Sequence, residues 1–162
     1  MAAPSVWIVP ATLEHAARLG PRMRDSDVVE VYAASGYLPV EAVEMAIRCS
    51  VSAWTCFFGT EVAACFGIAS LNMLDGVGVP WALTGEAVDK HPILFYRTSK
   101  EVLAWMRQQY PTMVNRIDSR NEKAIRWARR VGFDVAKPDS VINKHGVPYH
   151  HCAIRMRSQS YV

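Results

Sequence analysis

Apolar positions along the chain repeat at two spacings, and the points where one gives way to the other mark out the elements. Residues 6–9 are a short β-branched and aromatic run that predicts a strand. Thr12 then stands before a helical pattern over residues 13–19, with Glu14 in its first turn, so it reads as an N-cap. Residues 22–35 mix charge with Val28, Val29, Val31 and Tyr32 and predict a helix. Pro39 suits a first helical position, and Val40, Val43 and Ile47 follow at helical spacing to about residue 49. Residues 53–58 and 62–71 predict two strands joined by a turn at Gly59-Thr60. A second turn over residues 75–78 leads into a strand over 80–88. Val102, Leu103 and Met106 share one face of a helix predicted over 98–109 and stopped by Pro111. A strand over 113–118, a helix over 121–131 closed by Gly132, and a strand over 152–156 complete the pattern. There is no repeat, linker or low-complexity segment. The order predicts one α/β (α+β) domain over residues 1–162, with a mixed, mostly antiparallel sheet and helices on both faces.

Composition narrows the function classes. Of the 162 residues, 51% are hydrophobic and 20% charged, the balance of a globular domain with a substantial core. A formal charge of +3 is too weak to demand a nucleic-acid partner. The start, Met1-Ala2-Ala3-Pro4-Ser5, has no basic segment leading into a long apolar run, so no secretion signal is expected, and no stretch is long enough to span a bilayer. Cys49, Cys56, Cys65 and Cys152 have no metal or CxxC spacing and read as free thiols, with a cytoplasmic location expected.

Two predicted helix starts follow strands, where open sheets place ligands. At the first, Thr98 and Glu101 have capping-box spacing and Arg97 and Lys100 flank them. The amides of Ser99, Lys100 and Glu101 could then receive a phosphate; a plain capped helix with solvated cations is the competing reading. At the second, Asn121 begins a helix whose Ala124, Trp127, Ala128 and Val131 form one apolar face. As a bare pattern Asn121 is an N-cap.

The segment Asn121-Glu-Lys-Ala-Ile-Arg-Trp-Ala-Arg-Arg-Val-Gly-Phe133 resembles the last conserved segment of the GNAT acyltransferases, with Asn121, Ala124, Ile125, Gly132 and Phe133 in register. The element order matches too. The resemblance implies a sheet whose fourth and fifth strands splay apart, with acetyl-CoA between them, its pyrophosphate on the helix from Thr98 and Asn121 reaching its pantetheine arm. Two departures stand out: residues 89–101 contain no Gly where the family has a Gly-rich loop, and Ala128 stands where many members carry a Tyr proton donor. Both departures fit one branch. Trp81 and Leu83, then Phe95, Arg97 and Thr98, then Asn115, Ile117, Asp118, Asn121, Ile125 and Trp127 resemble GNAT-like proteins of tailed phages and prophages related to internal virion protein A of short-tailed phages. The cofactor-binding set expected from this resemblance is Trp81, Leu83, Thr84, Phe95, Arg97, Thr98, Ser99, Lys100, Asn121 and Ala124.

The remaining polar residues divide by role. Glu86 is the first choice for a general base, with Asp89 and His91 beside it, although each also reads as a solvated strand-end residue. Asp25, Asp27 and Glu30 read as a solvated helix face, with a substrate groove as the alternative. His150 and His151 are adjacent on a predicted strand and point to opposite faces, which makes them poor shared metal ligands; no metal site is expected. The basic set around Lys123 and Arg126 reads as a solvated face rather than a nucleic-acid surface. The sequence thus predicts an acetyl-CoA-dependent N-acyltransferase of phage or prophage type, acting on an unidentified amine in the host cytoplasm. The alternative is a GNAT-fold virion or assembly protein, associated with other virion proteins, that has lost catalysis.

Overall fold

The computed structural model describes residues 3–72 and 74–155. The chain runs β1 (Val6–Pro10), α1 (Leu13–Leu19), a 3-10 turn (Gly20–Arg22), α2 (Asp25–Ser35), α3 (Pro39–Arg48), β2 (Ser52–Phe58), β3 (Glu61–Asn72) and β4 (Val77–Thr84). It continues with α4 (Ala87–Lys90), α5 (Pro92–Gln109), β5 (Thr112–Asp118), α6 (Glu122–Val131), β6 (Asp134–Ile142) and β7 (Pro148–Arg155). The strands form one seven-stranded sheet in the order β1-β2-β3-β4-β5-β7-β6. Every pairing is antiparallel except β4 with β5.

Alternation along the strands supplies both faces of the sheet. Cys56, Phe58, Phe66 and Ile68 turn toward α5 and α6 and join Leu103, Met106, Ile125 and Ala128 in the larger core. Val62, Cys65, Trp81 and Leu83 turn the other way, toward Leu19 of α1, Val28 of α2 and Val43 of α3.

Two expectations about elements are corrected. The helix predicted from residue 98 begins at Pro92, so Thr98 is its seventh residue and no cap. Pro92 takes the first helical position, where a missing N–H is tolerated, and the apolar residues after it continue the helix without interruption. The strand predicted over 80–88 is Val77–Thr84, followed by α4. β6, absent from the sequence pattern, is an edge strand in which Pro138 sits at a shift of register, a position where proline is tolerated in a sheet.

The parallel pair β4·β5 is the feature that positions the site. Its register holds only Val77 with Thr112 and Gly78 with Met113. Beyond these the strands part. At the vertex, a Cβ on Gly78 would lie 2.6 Å from Ile68 and 2.8 Å from the Tyr110 ring. Glycine is therefore what lets Tyr110 close over the point of divergence. Two residues on, Asn115 Nδ2 donates to the Pro80 carbonyl across the gap at 2.6 Å.

Candidate active site

The parted strands open a cavity of about 300 Å³ that passes through the sheet. On one face it is walled by Phe95, Thr98, Ser99, Val102, Leu103 and Met106 of α5 and by Ala124, Trp127 and Ala128 of α6. Pro80 to Thr84 of β4 and Asn115 to Ile117 of β5 form its sides. On the other face it ends at α2, with Asp27, Glu30, Val31 and Ala34, and at Arg24. The passage is mostly apolar, and its carboxylates are gathered at the α2 mouth.

Those carboxylates do more than the predicted solvated face. Asp27 is 6% exposed. It accepts from the Thr84 amide at 2.9 Å and from the Thr84 hydroxyl, and it pairs with Arg24 at 3.6 Å. Glu30, one turn on, accepts from the Asp118 amide at 2.9 Å and from Asn121 Nδ2 at 2.5 Å. One face of α2 thereby spans the open end of the gap, holding β4 through Asp27 and β5 through Glu30. Burial pushes the Glu30 carboxyl up to about 6, against the two hydrogen bonds that favour its charged form and with the neighbouring Asp27 and Asp118 charges adding to the rise. A second, smaller hollow on the outer side of this mouth is lined by Asp25, Ser26, Val29, Glu30, Asp118, Arg120 and Asn121. Here Asp118 is buried, which by itself pushes its carboxyl up. The Arg120 side chain and amide outweigh that and hold it below the usual carboxylate range. Arg120 grips both Asp118 oxygens, at 3.0 and 2.7 Å.

Asn121 stands where α2, β5 and α6 meet. Its Oδ1 accepts from the Ala124 amide at 3.1 Å, the cap the sequence predicts. Its Nδ2 points to Glu30, with Asp27 at 3.5 Å. The amide donor expected to reach a pantetheine arm is thus directed at the carboxylates of α2.

The other sequence-predicted residues separate into those the cavity gathers and those it leaves outside. Trp81, Leu83, Thr84, Phe95, Thr98, Ser99 and Ala124 line it. Phe95 stacks on Trp127 at 6.0 Å, and Trp127 Nε1 donates to Ser99 Oγ at 3.1 Å, locking α5 to α6. Trp81 Nε1 donates to Ser50 Oγ at 2.6 Å. Arg97 and Lys100 are exposed and outside the lining, with Lys100 over the Tyr96 ring at 5.7 Å. Because α5 is continuous from Pro92, the amides of Ser99, Lys100 and Glu101 lie inside its hydrogen-bonded ladder. They offer no phosphate cradle.

Glu86 also lies off the cavity; it is exposed and ion-paired with Arg22 at 3.8 Å. Asp89 is held between Arg24 at 3.4 Å and Lys123 at 3.0 Å. The sequence does not single out Arg24, and it offers a substrate groove only as the alternative reading of Asp27 and Glu30. The signal for the last two was their i, i+3 spacing on one helical face, which is also the pattern of an ordinary solvated face.

No family model matches the sequence, and no curated protein matches it. Solved structures do match its fold. A GNAT-family acetyltransferase from Bacillus anthracis superposes with a TM-score of 0.70 at 9% identity, covering 95% of this chain and 96% of its own. YncA of Salmonella typhimurium, solved with its cofactor acetyl-CoA, gives 0.66 at 12% identity, covering 96% of each chain. RimL, a ribosomal L7/L12 α-N-protein acetyltransferase in complex with coenzyme A, gives 0.67 at 13%, covering 93% of this chain and 94% of its own. The chain has the fold of the GNAT acetyltransferases.

Proposed function

We propose that this protein is an acetyl-CoA-dependent N-acyltransferase that receives acetyl-CoA from the α5–α6 face and a primary amine from the α2 face. The observation that carries the reading is the passage through the parted sheet, which ends at a half-buried carboxylate, Glu30. Acetyl-CoA, when bound, supplies an acyl carbon attached to a good leaving group. The chain supplies the rest. Beyond Gly78 the edge of β4 facing β5 has no strand partner; Pro80 carries no N–H and the Thr84 amide is held by Asp27, which leaves the Ala82 amide to polarise a carbonyl oxygen in the gap. Phe95, Thr98, Ser99 and Ala124 line the donor side, and exposed Arg97 and Lys100 are cations suited to the donor's phosphates. Glu30, rather than Glu86, takes the proton as the amine nitrogen bonds to the acyl carbon and the carbon–sulfur bond breaks. Ala128 carries no hydroxyl, so the departing thiolate takes its proton from water.

The residue matches along α5, β5 and α6 favour a phage or prophage protein working in a host cytoplasm. Among the described residues no helix is long and apolar enough to cross a membrane. One observation favours the second reading, a virion or assembly protein without catalysis that keeps company with other virion proteins. Directly after β4, the amides of Gly85, Glu86, Val88 and Asp89 are all spent on carbonyls of the chain itself.

Calorimetric titration separates the two. Acetyl-CoA should bind, and thiol release should then follow addition of an amine panel. No heat at millimolar acetyl-CoA would overturn the catalytic reading, and binding without thiol release from any amine would favour the second.

A further inference from the structure

The cavity extends further than an acetyl group requires, and the surplus has a direction. Asp27 and Glu30 lie at the Thr84 and Asp118 ends of the parted strands, so the reacting carbonyl belongs at that level. From there the lining continues toward the vertex: Phe66, Leu103, Met106, Ala128, Phe133 and Cys152 wall an apolar limb between the sheet and the two helices. Beyond Thr98 and Ser99, which belong to the donor side, the wall along α5 from Val102 to Met106 is about 6 Å long at the helical rise.

We propose that this limb is an acyl-chain pocket, and that the protein prefers donors carrying an unbranched, saturated acyl chain of about four to six carbons, a length set by that wall. The inference rests on the acyltransferase reading and names its donor class. The polar groups near the limb argue for hydrocarbon over a polar acyl group. Ser99 Oγ is engaged by the Phe95 carbonyl and Trp127. Asn115 is engaged by Pro80 and its neighbouring amide. The Cys152 thiol sits in apolar surroundings and stays uncharged, burial having pushed it up to about 11. Small Ala128, 1% exposed, leaves the limb open where a larger side chain would close it.

The test is calorimetric titration of the full chain with free coenzyme A and its acetyl, butanoyl, hexanoyl and octanoyl thioesters. Each methylene buried in the limb is worth about fourfold in affinity, so hexanoyl-CoA should bind about tenfold or more tighter than acetyl-CoA. Ala128→Leu, which fills the limb, should remove most of that preference. Should that variant fail to fold, Met106→Ala lengthens the limb and should move the optimum to longer chains. Equal affinity for the acetyl and hexanoyl thioesters, or an Ala128→Leu or Met106→Ala series that leaves the preference unmoved, overturns the pocket while leaving the acyltransferase reading intact. Failure of every coenzyme A species to bind overturns both.

Discussion

Asn121 serves two partners at once, and substitutions can separate them. Its oxygen caps α6 and its nitrogen donates to Glu30. Asn121→Ala should lose about 1 kcal/mol from the cap. Asn121→Asp keeps the capping oxygen but sets a second carboxylate against Glu30. In denaturant titrations it should be the less stable of the two at pH 7 and recover toward the alanine variant below about pH 6, as protonation removes the repulsion. If Asn121→Asp matches wild type at pH 7, the Glu30 contact has no energetic weight.

Glu30 gives the second prediction at this scale. As the base, its protonated form is inactive, so kcat/KM should rise with pH through about 6. Glu30→Gln should lower the rate by about 10²–10⁴, the usual worth of a general base. Stability runs the opposite way. An acid whose folded pKa is raised above its ordinary 4.5 binds its proton more tightly when folded. That contribution is fully present below about pH 4.5 and is lost as pH rises through about 6, on the order of 2 kcal/mol. Glu30→Gln should therefore flatten the fall in stability over that interval. An unchanged slope would show that Glu30 titrates normally.

α2 acts as a strap across the open end of the sheet, and the hold at Thr84 is its measurable part. Asp27→Ala would leave the buried Thr84 amide and hydroxyl without their acceptor. It should destabilise the protein by roughly 1–3 kcal/mol, the usual loss for an orphaned buried donor. Hydrogen exchange at the Thr84 amide should speed up, while amides of β1 and β2 change only with global stability. Retained protection at Thr84 would show that α2 does not hold β4.

Elements differ in how far they were legible beforehand, and the differences have physical causes. α6 was readable because its signals agree: an Asn cap, an apolar face at helical spacing and a closing Gly132 at φ 108°. For α5 the local pattern predicts a start six residues late. Thr98-x-x-Glu101 copies a capping box, whereas the true start rests on Pro92 and a His91 cap that makes no side-chain hydrogen bond. The false capping box puts the expected phosphate site on amides that lie inside a helix. The acidic face of α2 was read as solvated because only β4 and β5, distant in sequence, reveal that it is buried.

At the scale of the whole molecule, the sheet is two half-sheets, β1–β4 and β5–β7, joined by two residue pairs, the Asn115–Pro80 bond and the α2 strap. Element order implies the mixed sheet and the resemblance to GNAT acyltransferases implies its splay, but the passage depends on where the strands part, and no local pattern encodes that. A ligand in the gap would touch both halves and stabilise the folded state by mass action. At one hundred times its Kd the gain is about 2.7 kcal/mol. For a chain of this length, each kcal/mol raises Tm by about 2–4 °C. Acetyl-CoA at that excess should therefore raise Tm by roughly 5–11 °C. The gain should also be local in origin, with exchange slowing first at Trp81 to Thr84 and at Asn115 to Asp118, on the two banks of the gap. A Tm rise accompanied by protection elsewhere but not on both banks would place the ligand outside the passage. Protection on one bank alone would mean that the ligand binds a half-sheet and that the gap is a packing feature rather than the site.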